Sequence, residues 1–325
     1  MIAKIRLIFP LILLAIVSLP SPVHAQLVWN TNGVGGSGTW DATTANWYHV
    51  PSFSNVVWNS GAAHFTGMPG TVTLNSSLNA TGLRFNISGY TISGSGTLTL
   101  TGGLPGILSA VQTGSATHDI NVPMIAAGRV SIASPLSGPT SVTFNLGANN
   151  AFTNGIQLTG PNVRLNLNAP QALGTGPDAG PIFVETSLIR ISNLENAAPL
   201  TVTIPNELIL NATNQSGTFQ TVMGTTAPAL SPTSPVTQSA LVFSGVISGN
   251  SDIIISNSVT GGGGGTTVFA NSMTYTGKTI LNHSAESGVF QLGMTNALPS
   301  GTHVVFGNGS ANFAVGLFDL NGFNL

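Results

Sequence analysis

The stretch ANNAFTNGIQL at residues 148–158 recurs, with changes, as ANSMTYTGKTI at residues 270–280. A second pair follows these two stretches: LNLNAPQALGTG begins at Leu165, and FQLGMTNALPSG begins at Phe290. Short apolar-polar alternations that recur between Gly and Asn turns are typical of solenoids, in which each unit buries its apolar face against its neighbours. We therefore interpret the chain as a stack of related units.

The hydrophobic pattern has a period of two residues, which predicts β-strands. It is clearest at residues 71–74, 97–100, 142–146, 163–167 and 201–204. No stretch predicts an amphipathic helix. Short strands at this spacing fit a β-sandwich array or a parallel β-helix, and the internal repetition favours the β-helix. At about 25 residues per coil, the chain would form on the order of 12 coils.

The composition is poor in charge. Only 5% of the 325 residues are charged, whereas 42% are hydrophobic, and Gly accounts for 40 residues. Without Lys4 and Arg6, five basic and nine acidic residues remain. Because no basic patch is available to neutralise phosphates, we expect no nucleic-acid partner. The chain has no cysteine, so its stability must come from strand ladders and stacking.

Residues 1–25 have the features of a cleaved secretory signal peptide. Lys4 and Arg6 precede an apolar run at residues 7–17, and small residues surround His24 before the expected cleavage after Ala25. The run is shorter than the roughly 20 residues of a membrane-spanning helix. We therefore expect a secreted protein that is extracellular or associated with the outer membrane and cell surface.

Changes in composition predict further boundaries. All four tryptophans lie in residues 26–68, which we interpret as an N-terminal cap of the stack, and exposed indoles that bind sugar are the alternative. Residues 69–224 would form a solenoid with a degenerate repeat, and the Pro/Thr/Ser-rich residues 225–239 a loop or linker. The cap residues are Trp29, Trp40, Trp47 and Trp58.

No motif predicts catalysis. The nine acidic residues of the mature chain are scattered, and no histidines have the spacing of metal ligands. The strongest enzymatic candidate is Glu185 with Glu207, which are separated by nearly one coil, and Arg190 nearby. His118 and Asp119 are adjacent, so a strand would point them to opposite faces. We expect no enzyme activity, no cofactor and no metal.

Residues 240–325 resemble the autotransporter-associated β-strand repeat, also called the passenger-associated transport repeat. A degenerate copy covers roughly residues 130–176, where Phe152 replaces the tyrosine of the motif. The chain ends just after the DLNG strand, so we expect a truncated repeat. The residues that carry the resemblance are Asn271, Tyr275, Thr276, Gly277, Thr279, Ala297, Leu298, Gly301, Asp319, Asn321 and Gly322.

The resemblance implies a right-handed parallel β-helix in an exported passenger, in which the repeat assists export and folding. It implies a non-catalytic role in adhesion or as a structural spacer. A carbohydrate-binding or polysaccharide-degrading β-helix is the alternative. Expected partners are extracellular matrix, polysaccharides, other cell-surface components and the export machinery. We also expect end-to-end self-association.

Overall fold

The structure is a computed structural model. It describes residues 27–102, 106–111, 114–134, 141–160, 163–174, 179–184, 189–194, 200–210, 217–222, 239–255, 265–281, 288–307 and 317–325. The signal peptide and nearly all of the Pro/Thr/Ser-rich segment lie outside these ranges. Within them the chain forms β-strands and two 3₁₀ turns, with no α-helix.

Four short strands form the N-terminal segment. They are β1 (Leu27–Trp29), β2 (Gly38–Thr39), β3 (Trp47–His49) and β4 (Ser54–Val56), and the 3₁₀ turns are Thr31–Gly33 and Val50–Ser52. β1 pairs with β3 and β3 with β4 in antiparallel fashion, whereas β1 pairs with β5 (Ala62–Phe65) in parallel. The antiparallel strands therefore end the parallel stack at this side.

The remaining strands follow in regular succession. From β5 onward they are β6 (Thr71–Leu74), β7 (Leu78–Ala80), β8 (Gly82–Phe85), β9 (Thr91–Gly94), β10 (Leu98–Leu100), β11 (Gly106–Ser109), β12 (Ala116–Ile120), β13 (Met124–Ala126), β14 (Val130–Ala133), β15 (Val142–Leu146), β16 (Ala151–Phe152), β17 (Ile156–Thr159) and β18 (Val163–Leu167). The last are β19 (Ile182–Val184), β20 (Ile189–Leu194), β21 (Thr201–Ile204), β22 (Leu208–Leu210), β23 (Gly217–Val222), β24 (Ala240–Phe243), β25 (Ile247–Gly249), β26 (Ile253–Ile255), β27 (Thr266–Phe269), β28 (Thr279–Leu281), β29 (Val289–Leu292), β30 (Val304–Phe306) and β31 (Leu317–Asp319).

These strands form a three-sided parallel solenoid. Side 1 is an 11-stranded sheet from β4 to β25, and side 2 is an 11-stranded sheet from β2 to β30. Side 3 consists of a four-stranded sheet from β7 to β16 and a five-stranded sheet from β21 to β31. The turn between these two sheets joins them, since the carbonyl of Gln171 accepts from Asn150 and that of Pro170 from Thr203.

The strand register gives the length of each coil. Ile156 pairs with Ile182 and Ile182 with Leu208, so one coil takes 26 residues here. Leu208 then pairs with Ile247, a step of 39 residues that contains the Pro/Thr/Ser-rich segment. At the inter-strand spacing of about 4.8 Å, an 11-stranded side is roughly 50 Å long.

The core lies inside the three sides because alternate residues of each strand point inward. In β6, Val72 and Leu74 are fully buried, whereas Thr71 is exposed. Burying one such apolar side chain contributes about 1.5–3 kcal/mol. The period-two prediction of an all-β parallel solenoid is confirmed, and the β-sandwich alternative is wrong because the sides are parallel sheets. The right-handed coil remains a prediction.

The two similar stretches occupy different sides of the solenoid. Residues 148–158 pass through β16 on side 3 and β17 on side 1. Residues 270–280 instead continue side 1, where Thr274 and Thr276 donate to carbonyls of β25, and enter β28 on side 2. The copies are therefore displaced by one side, which shows that the same turn chemistry fits more than one corner.

Candidate functional site

The first half of the repeat motif binds its coil to the preceding coil. Asn271 donates from Nδ2 to the Ser244 carbonyl at 2.9 Å, and Thr276 donates from its backbone N–H to the Gly249 carbonyl at 2.9 Å. Gly277 packs directly on the backbone below, since a Cβ there would lie 2.2 Å from the carbonyl oxygen of Ser251. These residues make contacts between coils.

A buried hydroxyl network lies beside these contacts. Tyr275 and Thr279 are 1% and 0% exposed, and their hydroxyl groups are hydrogen-bonded to each other. Thr302 extends the network, because its Oγ1 lies 3.4 Å from that of Thr279 and donates to the Gly277 carbonyl at 2.9 Å. Burial raises the pKa of the Tyr275 hydroxyl to about 12. This tyrosine therefore stays neutral and serves packing rather than proton transfer.

The second half of the motif forms two turns. Ala297 and Leu298 are buried, and the Ala297 carbonyl accepts from the Met273 N–H at 3.0 Å. Gly301 has a φ of +84°, a conformation that glycine adopts without steric cost. The earlier copy buries Ala172 and Leu173 in the same way, so this turn seals the core in both.

The DLNG end of the motif is also joined to the coil before it. Asp319 accepts from the Gln291 side chain at 2.9 Å and from the Asn321 N–H at 2.8 Å. Asn321 donates from Nδ2 to the Leu292 carbonyl at 3.2 Å. Both Asn321 and Gly322 have positive φ, at 52° and 77°. The polar motif residues are thus engaged in turns and between coils.

The four tryptophans form one cluster in the core of the N-terminal segment. Trp29, Trp40 and Trp47 are fully buried and Trp58 is 5% exposed. Their ring centroids are 4.5 to 5.1 Å apart in the closest pairs, mostly edge to face, which is a favourable aromatic geometry. Because the indoles are buried, they cannot stack on sugar rings, and that alternative is wrong.

An aromatic column continues from this cluster into the solenoid. Phe65 stacks on Phe85 with centroids 5.0 Å apart, Phe85 stacks on His118 at 4.4 Å, and His118 lies 5.5 Å from Phe144. A second column links Phe243, Phe269, Phe290 and Phe318 on side 3. Both columns run along the stack and hold successive coils in register.

The structure does not bring the acidic candidates together. Glu207 is exposed directly before β22, and its carbonyl accepts from the Ile182 N–H at 2.7 Å. Arg190 lies in β20 on side 2, and Glu185 lies outside the described residues. The coil here takes 26 residues, so the separation of the two glutamates does not match it. Within the described part of the chain, no group of three potential metal ligands occurs.

A polar ladder follows the outer face of side 2. Asp119 accepts from Thr91 at 3.1 Å and from Asn145 at 2.5 Å, and Asn145 accepts from Asn166 at 2.6 Å. These residues are directly opposite one another on adjacent strands. The Asp119 carboxylate is therefore held by amide and hydroxyl donors in the strand surface.

Sequence reasoning missed the buried asparagines at the corners. Asn150 is 3% exposed and joins three coils, accepting from the Met124 N–H at 2.8 Å and donating to the Ala172 carbonyl at 2.6 Å. Asn206 donates to the carbonyls of Leu173 and Gly180. The signal was present, since each asparagine precedes a strand at a turn, but an Asn-rich sequence does not distinguish them.

The surface offers few concave sites. Depressions of about 350 and 330 Å³ flank the turn at residues 299–302, and no charged side chain lines either one. No helical segment in the ranges described above has the length and apolar character needed to cross a membrane. The arrangement is suited to presenting extended flanks rather than to enclosing a small substrate.

One comparison connects these flanks with a known protein. Over 200 residues the chain is 32% identical to the adhesin BmaC autotransporter of Brucella suis biovar 1 (strain 1330), a match that covers 58% of this chain. The chain is similar to part of an autotransporter adhesin. It spans only 5% of the length of that adhesin. No family model and no solved structure matches the chain, so the particular repeat family remains a prediction.

Proposed function

We propose that this chain is a segment of a non-catalytic β-helical passenger that is exposed at the cell surface or released from it. Its role is adhesion or the spacing of an adhesive region from the cell. The observation that carries the proposal is the similarity to an autotransporter adhesin in a chain that forms a parallel solenoid. Export through the expected signal peptide is part of the proposal.

The outer faces support a role in contact rather than catalysis. Exposed residues of the strands include Thr71 and Thr117 on side 2 and Thr201 and Thr203 on side 3. Such hydroxyl groups can hydrogen-bond to matrix proteins, polysaccharides or other cell-surface components without the cost of burying a charge. The carboxylate pairs that glycoside hydrolysis requires do not occur at the candidate glutamates.

The repeat is proposed to assist export and folding by making each coil a template for the next. Asn271, Thr276 and Gly277 all contact residues of the preceding coil. A coil that emerges from the export machinery can therefore form its hydrogen bonds on a coil that is already in place. Nearest-neighbour stacking of this kind is how solenoids gain stability.

An adhesion assay with side-specific variants tests the proposal. Beads coated with the full chain are applied to matrix proteins, immobilised polysaccharides and host cells. Retention is compared with that of beads carrying Thr71→Lys with Thr117→Lys, or Thr201→Lys with Thr203→Lys. We expect retention on at least one surface and its loss in one of the two variants. Retention nowhere would leave the spacer role, and release of reducing sugar from a polysaccharide would contradict a non-catalytic passenger.

A further inference from the structure

A single histidine lies inside the core of the N-terminal half. His118 is the central residue of β12, with Ala116 and Ile120 on the same inward face, and its side chain is fully buried. Its partner on β15 is Phe144, and the next residue in this inward row is Leu165 on β18. An ionisable group therefore occupies a row that is otherwise aromatic or aliphatic.

The surroundings of His118 suit a neutral imidazole. The ring is stacked on Phe85 at 4.4 Å with an interplanar angle of 20°, and Phe144 lies 5.5 Å away. Nε2 is 3.1 Å from Oγ of Ser109, which is itself fully buried. Nδ1 is buried without a hydrogen-bond partner in the described structure. An Nε2–H that donates to Ser109 leaves only a bare lone pair on Nδ1, the less costly of the two tautomers.

Protonation would change this balance. The added proton would sit on Nδ1, where no acceptor faces it, and the new charge would lie between two phenyl rings. Cation–π attraction to these rings offsets about 0.5–2 kcal/mol. Burial of an uncompensated charge costs more than that. The folded coil therefore resists protonation of His118.

The charged neighbours of His118 do not remove this penalty. Asp119 follows it but points to the outer face, where Thr91 and Asn145 hold its carboxylate. Arg84 precedes Phe85 and is exposed on the outer face of β8. Tyr90, which lies between β8 and β9, is neutral and donates to the Thr66 carbonyl at 2.6 Å. The inward residues of β11 and β15 that face the imidazole, Ser109 and Phe144, carry no charge.

We propose that His118 makes the solenoid acid-sensitive, so that the coil formed by β11, β12 and β13 opens preferentially at weakly acidic pH. Coils of a solenoid contact only their neighbours, so one weakened coil opens locally before the whole stack unfolds. Opening would separate the tryptophan-rich N-terminal segment from the coils that follow. A passenger with this property would loosen in acidic surroundings and re-form on neutralisation.

The direction and size of the effect follow from proton linkage. Burial lowers the pKa of His118 from 6.5 to about 4, although Asp119 raises it in part. In the open coil the pKa returns to its ordinary value, so the open state binds more protons between these two values. Stability is therefore fully present above about pH 6.5 and is lost as the pH falls toward 4. Between pH 7.5 and 5.0 the opening equilibrium should shift about 30-fold.

Hydrogen exchange on the full chain tests the proposal. Exchange in peptides from residues 106–126 is measured for wild type and for His118→Phe, which continues the aromatic column without an ionisable group. Comparing the two proteins at the same pH cancels the intrinsic pH dependence of exchange. We expect the wild-type to variant rate ratio to rise about 30-fold from pH 7.5 to 5.0. The exposed His303, replaced in His303→Phe, is the matched control and should leave the ratio unchanged.

A second measurement does not depend on folding of the variant. The histidines of the wild-type chain are titrated by NMR with ¹³C at Cε1. One resonance should remain neutral to about pH 4. An equal pH dependence in wild type and His118→Phe, or titration of every histidine resonance above pH 5.5, would overturn the proposal.

Discussion

Replacing Gly277 by alanine should separate two coils at a defined point. The added Cβ would lie 2.2 Å from the Ser251 carbonyl oxygen, 2.5 Å from its carbonyl carbon and 2.6 Å from the Asp252 nitrogen. All three are backbone atoms, so no side chain can rotate away. A shift of about 1 Å is needed to restore ordinary contact distances, which is a large fraction of the strand spacing of roughly 4.8 Å.

The cost follows from the hydrogen bonds that such a shift would break. The Lys278 N–H donates to Asp252 at 2.8 Å, the Lys278 carbonyl accepts from Ile253 at 2.8 Å, and Thr276 donates to Gly249 at 2.9 Å. Each contributes about 1 kcal/mol net, so the variant should lose about 3 kcal/mol locally. That corresponds to an opening equilibrium about 100-fold more favourable.

Hydrogen exchange of peptides that cover residues 247–255 and 276–281 measures this loss without assuming that the stack unfolds in one step. Two other glycines provide matched controls. Gly106→Ala places its Cβ in open space and should be neutral or stabilising by up to about 1 kcal/mol. Gly301→Ala also has space, but its φ of +84° should cost about 1 kcal/mol.

The reasoning would be refuted if Gly277→Ala exchanged like Gly106→Ala. It would also fail if Gly301→Ala were the most damaging of the three, because backbone conformation and not close approach of coils would then decide the cost. Far-UV circular dichroism at the starting temperature must show that all three variants are folded before exchange is compared.

Two further predictions concern the buried rings of the C-terminal coils. Phe269→Ala should lower stability by about 3–5 kcal/mol because it empties the centre of the side 3 column, whereas Phe53→Ala, at a position 78% exposed, should change it by less than about 0.5 kcal/mol; thermal unfolding distinguishes them, and equal losses would contradict the burial. Tyr275→Phe should cost about 1–2 kcal/mol by leaving the buried Thr279 hydroxyl without its partner. In wild type, absorbance at 295 nm should show one tyrosine that stays neutral to about pH 11, because burial raises the pKa of Tyr275 to about 12.

The sequence was sufficient to predict the architecture because alternation and burial coincide. Strands such as β6 bury their apolar residues and expose their threonines, as a period of two requires. The estimate of about 25 residues per coil is close to the 26-residue step from Ile156 to Ile182. The three-sided cross-section could not be predicted, because it depends on corner geometry formed by buried asparagines such as Asn150 and Asn206.

Site predictions were limited by register. Pairing of Glu185 with Glu207 assumed a shorter coil than the structure has, and an error of four residues moves a side chain beyond the end of a three-residue strand. The opposite orientation of His118 and Asp119 was predicted correctly. Its consequence was missed, although Ala116 and Ile120 on the same face already indicated that His118 points into the core.

Surface exposure on intact cells tests the central claim most directly. Antibodies raised against the full chain are applied to cells that produce the protein, with and without external protease and with a periplasmic and a cytosolic protein as controls for leakage. A surface passenger should be labelled on intact cells or recovered from the medium, and external protease should remove the label while both controls stay intact. Detection only after the cells are lysed would contradict an exported passenger.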